Sequence, residues 1–376
     1  MAQELSPSRI VSLDQFRGYT VLGMFLVNFA GSYAAVRAAA PVLAHHHTYF
    51  SYADSIMPQF FFAVGFAYRL TFLRRAQTRG LVAAYSHALR RNAALLLVAF
   101  VIHTAGSGWQ AFADHDQLDR MLNQWAKREL FQTLTHIAIT SVWVLPVIAA
   151  PPGFRVGWMV ASGAVHLALS YAFNYRWVNT APVGIDGGPL GFLTWTIPLL
   201  AGSLAYDAWT ADADRVRVFR RLIAWGVLVM GLGYGLSCQH LAPFDRDEGS
   251  FRVTVAAPPP PFVHVEAKAP TNDVFTMSQR SGSATYLTFG AGFSLAVYAL
   301  FVLACDVGGW QLGLFRTLGV NALVGYILHD LVNAAVRPFV PKDSPVWYVL
   351  TGCAVSITIC YLLLRGLEKQ RIYLKL

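Results

Sequence analysis

Apolar residues fall in long runs along nearly the whole chain, separated by short polar connections. Ten runs stand out, at about 18–37, 55–73, 91–107, 132–151, 155–174, 190–208, 220–239, 284–305, 316–337 and 345–364. A helix rises about 1.5 Å per residue, so roughly 20 apolar residues cross a hydrocarbon core about 30 Å thick. The pattern predicts an all-α fold, a polytopic transmembrane helical bundle of about ten spans. Pro58, Pro146 and Pro198 lie inside runs. A membrane bundle tolerates this because neighbouring helices and local backbone adjustment satisfy the freed groups. Residues 240–283 form the one long connection, with Asp245, Glu248 and the prolines Pro258 to Pro261. It is expected to be an extended flap over one mouth of the bundle, within a single domain spanning residues 1–376.

Composition supports this reading. Hydrophobic residues make up 55% of the chain, aromatic residues 14% and charged residues 13%, against about 25% charged in a soluble domain. The formal charge is +9, but the basic residues sit in the connections between runs and not on one stripe or tail, so no nucleic-acid partner is expected. Their placement reads as topology, since Lys and Arg collect on the cytoplasmic side. Arg9, Arg17, Arg74, Arg75, Arg90, Arg91, Arg220, Arg221, Lys369 and Arg371 all fall on one side when both termini are cytoplasmic. Cys238, Cys305, Cys353 and Cys360 show no CxxC spacing and read as small buried hydrophobes. The amino terminus lacks a signal-peptide plan, because the first apolar run begins only after Arg17 and is long enough to span.

Polar side chains at membrane depth cost free energy, so each invites a functional reading. On the outer side lie Asn28 in the first span and His45, His46 and His47 in the loop after it. Asp54 opens the second span, and His103, Gln132, His136, His329 and Asp330 sit at the same level. The inner side carries Asp14, Arg17, Arg74, Arg75, Arg90, Arg91 and Asn92. Guanidinium groups bind phosphate in bidentate fashion, so this basic mouth suits a phosphate-bearing ligand, with simple positive-inside anchoring as the bland alternative. Asp54 reads equally as a helix N-cap, and His329-Asp330 as a polar pair joining two helices. His103 and His166 read as packing residues. No metal is expected, because three adjacent histidines on a short loop rarely converge on one ion. Gly231, Gly233 and Gly235 read as a close-packing feature.

The order of motifs resembles the transmembrane acyltransferase domain of the heparan-α-glucosaminide N-acetyltransferases and their bacterial relatives. Val11-Ser12-Leu13-Asp14-Gln15-Phe16-Arg17-Gly18, running on to Met24, Val27, Asn28 and Gly31, is similar to the start of that domain. His45 to Asp54, followed by Met57-Pro58-Gln59-Phe60-Phe61-Phe62-Ala63-Val64-Gly65, resembles its histidine, Ala-Asp and Pro-Phe-Phe-Phe-Val-Gly signature. Phe131-Gln132-Thr133-Leu134 falls at its Leu-Gln-Arg-like element, and Asp186-Gly187-Gly188-Pro189-Leu190-Gly191 looks like its Asp-Pro-x-Gly-x-Gly turn. Gly319-Val320-Asn321-Ala322-Leu323, with Tyr326 and His329, resembles its penultimate span, and residues 369–376 share its ending. The resemblance implies transfer of an acetyl group from cytosolic acetyl-CoA to an amine or hydroxyl of a sugar or glycan across the bilayer. A bacterial cytoplasmic membrane is the implied location, with self-association left open.

On this resemblance the catalytic set is Asn28, one of His45, His46 or His47, Asp54 and His329. His45 is the first choice and His46 the second. The donor-binding set is Asp14, Arg17, Arg90, Arg91 and Asn321. Thr48-Tyr49-Phe50-Ser51 replaces the family's Trp-x-Gly after the histidine, a departure that bears on the acceptor. A neutral imidazole can take the proton of an attacking amine or hydroxyl, or carry the acetyl group transiently. Asn28 is expected to hydrogen-bond the thioester carbonyl or orient the histidine, and His329 with Asp330 to orient or relay. A transporter or a non-catalytic membrane scaffold are the rival readings.

Overall fold

The computed structural model describes residues 10–103, 123, 125–241, 253–255, 257–264 and 273–374. The last residues of the predicted span 91–107 and much of the 240–283 connection, including Asp245 and Glu248, lie outside the described residues. The helices in chain order are α1 (Val11–Ala30), α2 (Ala34–Ala39), α3 (Tyr52–Arg79) and α4 (Leu81–His103). Next come α5 (Thr133–Val144), α6 (Pro152–Asn179), α7 (Gly188–Ala211) and α8 (Arg215–Ser237). The last four are α9 (Ala284–Val307), α10 (Gly313–Val320), α11 (Ala322–Phe339) and α12 (Val346–Lys369). One antiparallel ribbon interrupts this helical chain, β1 (Gln239–Leu241) with β2 (Val253–Val255), in register Gln239 to Val255.

Five of the described helices are long and apolar enough to cross a membrane, six when α10 and α11 count as one bent span. The five are α3, α6, α7, α9 and α12. Helices α1, α4 and α8 carry arginines within their length (Arg17 in α1, Arg90 and Arg91 in α4, Arg215, Arg217, Arg220 and Arg221 in α8), which lowers their mean hydropathy. Only 17% of the most apolar window of α6 and 28% of that of α12 is buried. Phe154, Val160 and Phe173 on α6 stand exposed, as do Leu350, Val355 and Leu362 on α12. Such apolar faces would be costly in water and fit hydrocarbon.

Small residues let the central helices meet at backbone distance. A Cβ added at Gly18 of α1 would lie 1.8 Å from the Phe315 carbonyl oxygen of α10, and one at Gly65 of α3 would lie 1.7 Å from that of Leu199 in α7. Within the glycine series of α8, Gly233 packs tightly on Phe289, whereas Gly231 and Gly235 face open space. The close-packing reading therefore holds for Gly233 alone.

The ninth predicted span differs from expectation. It is broken at Asn321, and its two halves meet at 94°. Close packing fixes both halves against α1: Gly319 sits on the backbone of Asp14 and Gly18, and Gly325 on Val21 and Phe25.

Candidate functional site

A cavity of about 220 Å³ opens near the end of the bundle expected to be the outer one. It collects Met24, Val27 and Asn28 from α1, Ala53, Ile56, Met57 and Phe60 from α3, and Tyr326, His329 and Asp330 from α11. Gln132 and Thr133, Ile185 and Asp186, and Gln279 and Tyr286 complete the wall with His45. Residues far apart in sequence thus meet at the level expected for Asn28, His45, Gln132, His329 and Asp330.

His45 stands in the loop between α2 and α3. Its Nδ1 lies 2.9 Å from Asp54 Oδ1. The carboxylate oxygen accepts, so Nδ1 carries the proton and Nε2 keeps its lone pair. Asp54 itself is buried and held from several sides. Its Oδ2 accepts from Ser51 N at 3.1 Å and from His46 N at 3.3 Å. Ser51 is the N-cap of α3, and Asp54 closes its capping box from the third helical position. The N-cap reading of Asp54 is corrected accordingly: it supports the helix start from N3 and orients an imidazole with its other oxygen. His45 is half-exposed, and it lines the cavity. Burial disfavours the charged ring; the Asp54 hydrogen bond and the charges of Asp54 and Asp186 outweigh this and hold His45 above the ordinary histidine value.

The neighbouring histidines are placed differently. His46 Nε2 donates to the Pro41 carbonyl at 2.9 Å, and its ring stacks on Tyr49 at 4.3 Å. His47 is pushed down to about 4 by burial and by Arg280. Neither lines the cavity. Of the two preferred histidines, the geometry brings His45 into the cavity and gives His46 a packing role.

A second imidazole faces the cavity from α11. His329 Nδ1 donates to the Tyr326 carbonyl, so Nε2 accepts from Asn28 Nδ2 at 3.0 Å. Asp330 Oδ1 lies 3.2 Å from that same Nε2, so the nitrogen can also hold a proton when the Asn28 amide turns its oxygen inward. Phe25 stacks on the ring. Asn28 was expected to serve the histidine of the loop. Instead it pairs with His329, and this bond, not His329-Asp330, joins two helices.

Asp186 and Gln279 are cavity residues that the site reading from sequence did not select. Asp186 has φ +54°, in a turn completed by Gly187 (φ +86°) and Gly188 (φ +58°). Its Oδ1 accepts from Gln279 Nε2 at 3.0 Å. Burial raises its carboxyl to about 7, against the lowering pull of Gln279 and His45. The glycine-rich turn after Asp186 was the available signal. Gln279 carried none, because it lies in the long connection. Tyr286 donates to the Asp54 carbonyl at 2.7 Å and so ties α9 to the start of α3. His136 and His166 are buried but line neither cavity, and the side chain of His103 lies outside the described residues.

A second cavity, of about 150 Å³, lies at the opposite end, the one expected to be inner. Its wall includes Arg17, Arg75, His87 and Arg91, with Ala63, Val64, Ala67, Tyr68, Thr71 and Phe72 from α3. No carboxylate among the described residues lines it. Arg75 Nε and Arg91 Nη1 are buried without a hydrogen-bond partner, as expected of guanidinium groups set to receive an anion. Three expected donor-binding residues fall elsewhere: Arg90 points outward and is exposed, and Asp14 and Asn321 line neither cavity. Arg90 and Arg91 are adjacent on a helix, so about 100° separates them and only one can face the interior. Asn321 lies at the break between α10 and α11.

The two cavities share one stripe of α3. Ala53, Ile56, Met57 and Phe60 line the outer one, and Ala63, Val64, Ala67, Thr71 and Arg75 continue at the same helical spacing into the inner one. Four residues, about 6 Å, separate Phe60 from Val64 along the axis. Helix α1 repeats the arrangement, with Arg17 at the inner cavity and Met24 and Asn28 at the outer.

Among the described residues, no three His, Cys, Asp or Glu side chains are grouped to hold a metal ion. The family model described as heparan-alpha-glucosaminide N-acetyltransferase, catalytic, matches residues 9–187. That stretch contains Arg17, Asn28, His45, Asp54 and Asp186, while Asn321 and His329 lie beyond it. None of the curated proteins matches the chain.

Proposed function

We propose, for a chain whose membership in the heparan-alpha-glucosaminide N-acetyltransferase catalytic-domain family rests on that match, that it moves an acetyl group across the membrane. The donor is acetyl-CoA from the cytosol, and the acceptor is an amine or hydroxyl of a sugar or glycan on the far side. The ten-span arrangement, with both termini cytoplasmic, belongs to the same proposal. The observation that carries it is the pair of cavities on one stripe of α3, arginines at one and a carboxylate-bound imidazole at the other.

In this reading the donor's phosphates meet Arg17, Arg75 and Arg91, and its thioester lies at the outer cavity. The acceptor's N–H or O–H gives its proton to His45 Nε2 while its lone pair attacks the thioester carbon. Asp54 keeps Nδ1 protonated and steadies the imidazolium that forms. The C–S bond then breaks, and the departing thiolate takes up a proton, from His45 or through His329 with Asp330. The variant route has Nε2 attack the thioester first and pass the acetyl group on. Asn28, held on His329, offers an amide to the developing oxyanion.

One feature bears on a transporter reading. Such folds use paired broken helices, and a single bent pair, α10 with α11, is found among the described residues. Incubating purified protein with acetyl-labelled acetyl-CoA and a panel of amino sugars and glycans separates the readings. Label transfer that is lost in His45→Ala and kept in His46→Ala supports the acyltransferase. Solute uptake by vesicles without label transfer overturns it.

A further inference from the structure

Gln279 belongs to the long connection, yet it forms part of the wall of the outer cavity. Its place there is fixed by two turns that dock backbone to backbone. Gly187, the residue after Asp186, donates its N–H to the Arg280 carbonyl at 3.0 Å. A Cβ added at Gly282 would lie 2.8 Å from the Cα of Gly187. The second turn closes on itself, with Gly282 N donating to the Gln279 carbonyl at 2.9 Å and Ser278 N to Ser283 Oγ at 3.2 Å. Two helices hold it from outside. Thr194 of α7 donates to the Gly282 carbonyl at 2.7 Å, and Asn179 of α6 donates to Ser281 Oγ at 3.0 Å. A side chain carried on so fastened a turn is preorganised, and little ordering remains to be done when a ligand arrives.

The side chain is only half engaged. Nε2 gives one hydrogen to Asp186 Oδ1 at 3.0 Å, and a carboxamide has a second N–H and an acceptor oxygen besides. Gln279 Oε1 has no partner among the described residues, and it is not one of the polar atoms sealed off without one. The same is true of Asp186 Oδ2. Both residues are buried from the outside and border the cavity that His45 also lines.

This pairing suits a particular kind of acceptor. Two open oxygens on side chains joined at 3.0 Å match two neighbouring hydroxyls of a ring, which stand at much the same spacing. Each hydroxyl can donate to one of the oxygens, and the second N–H of Gln279 can donate to a hydroxyl oxygen in return. A ring without hydroxyls would leave these polar atoms enclosed and unpaired, the arrangement that gives a site its strongest discrimination. We propose that Gln279, held against Asp186 by the docked turns, hydrogen-bonds ring hydroxyls of the sugar acceptor and selects them over a bare amine or alcohol. The inference rests on the acyltransferase reading and adds to it an acceptor-reading residue beyond residue 187, where the family match ends.

The test measures transfer from acetyl-labelled acetyl-CoA by the purified full chain to two pairs of probes. Glucosamine and methyl glucoside carry neighbouring hydroxyls; cyclohexylamine and cyclohexanol offer an amine or a hydroxyl on a ring that has none. Gln279→Met keeps the length and bulk of the side chain and removes both polar groups. Its kcat/KM preference for the sugar over the bare ring is expected to fall about tenfold or more, chiefly through a higher KM for the sugar. Gln279→Asn sets the carboxamide back by one methylene and is expected to lose less, and it reads the same contrast if the methionine variant does not fold. A preference unchanged in a folded variant overturns the proposal, even where both activities fall together, because an equal loss marks a structural role. If the parent transfers label to none of the four probes, the sugar acyltransferase reading fails first, a result distinct from a preference that survives the substitution.

Discussion

The two ends of the bundle treat buried charge in opposite ways. At the inner end, most described carboxylates are closed off by partners. Asp207 lies between Arg69, at 2.7 Å, and the fully buried Arg155, which also donates to Ser203 at 2.7 Å. Asp306 accepts from Ser12 at 2.7 Å and from Trp209 at 2.9 Å. Glu368 accepts from Thr317 at 2.7 Å and from Arg365 at 2.6 Å. At the outer end, Asp54 and Asp186 are bonded on one side and border a cavity on the other. Closed networks fasten helices; open ones leave atoms for a ligand. The inner arginines divide in the same way, since Arg69 and Arg155 are spent on Asp207, whereas Arg75 and Arg91 keep unpartnered nitrogens at a cavity.

The sharpest way to break this contrast is to open a closed network. Asp207→Ala leaves two buried guanidinium groups unpaired between α3, α6 and α7. Loss of one partner from a buried ion pair costs about 3–5 kcal/mol. The melting temperature in detergent is expected to fall by far more than in any cavity variant. A melt unchanged from that of the parent would show that the inner network does not hold the helices.

At the open end, Asp54→Asn is expected to cost roughly 100-fold or more in transfer rate, because the tautomer of His45 is no longer fixed. It also changes the pH dependence. Asp54 raises the proton affinity of His45, and the base must be neutral, so the parent's rate climbs at a pH above the ordinary histidine value. Without Asp54, burial dominates and the limb moves to lower pH. A pH profile of kcat/KM checks this, and a limb that stays in place removes His45 as the base.

Much of the bundle was legible in the sequence, because lipid forces hydrophobicity and helix length to agree. The site was legible as a level, since a side chain's depth follows from its place along a span. Partners were not, because depth says nothing about azimuth. Arg90 and Arg91 share a level, yet only Arg91 lines the cavity, and Asn28 turns to His329 rather than to the histidine loop. The break at Asn321 was hidden for a different reason. Its two halves read as one apolar run, and the 94° turn between α10 and α11 leaves that run unbroken.

Asp186 sharpens the comparison through stability. Burial lifts its folded pKa from 3.8 to about 7. A raised folded value means that this carboxyl's contribution is fully present below the unfolded pKa and is lost as pH rises through the folded one. Asp186→Asn removes that loss. Discounted for water in the cavity, the variant's stability relative to the parent is expected to improve by about 2 kcal/mol between pH 4 and pH 8. Parallel melting curves across that range would mean that the carboxyl is already solvated and ionised, which would place it outside the enclosed part of the cavity.

The smallest effect separates two neighbours on α4. Arg91 lines the inner cavity with Nη1 unpartnered, and Arg90 faces outward. One charge-assisted contact to a phosphate is worth about 1.5–3 kcal/mol, so Arg91→Ala is expected to weaken coenzyme A binding about tenfold or more, with a shallower dependence on salt. Arg90→Ala is expected to leave affinity within twofold, since an exposed charge at that distance is screened. Both substitutions remove the same charge from the same helix turn. A pure positive-inside role would make them equivalent, and equal losses in the two variants would return the inner mouth to that simpler reading.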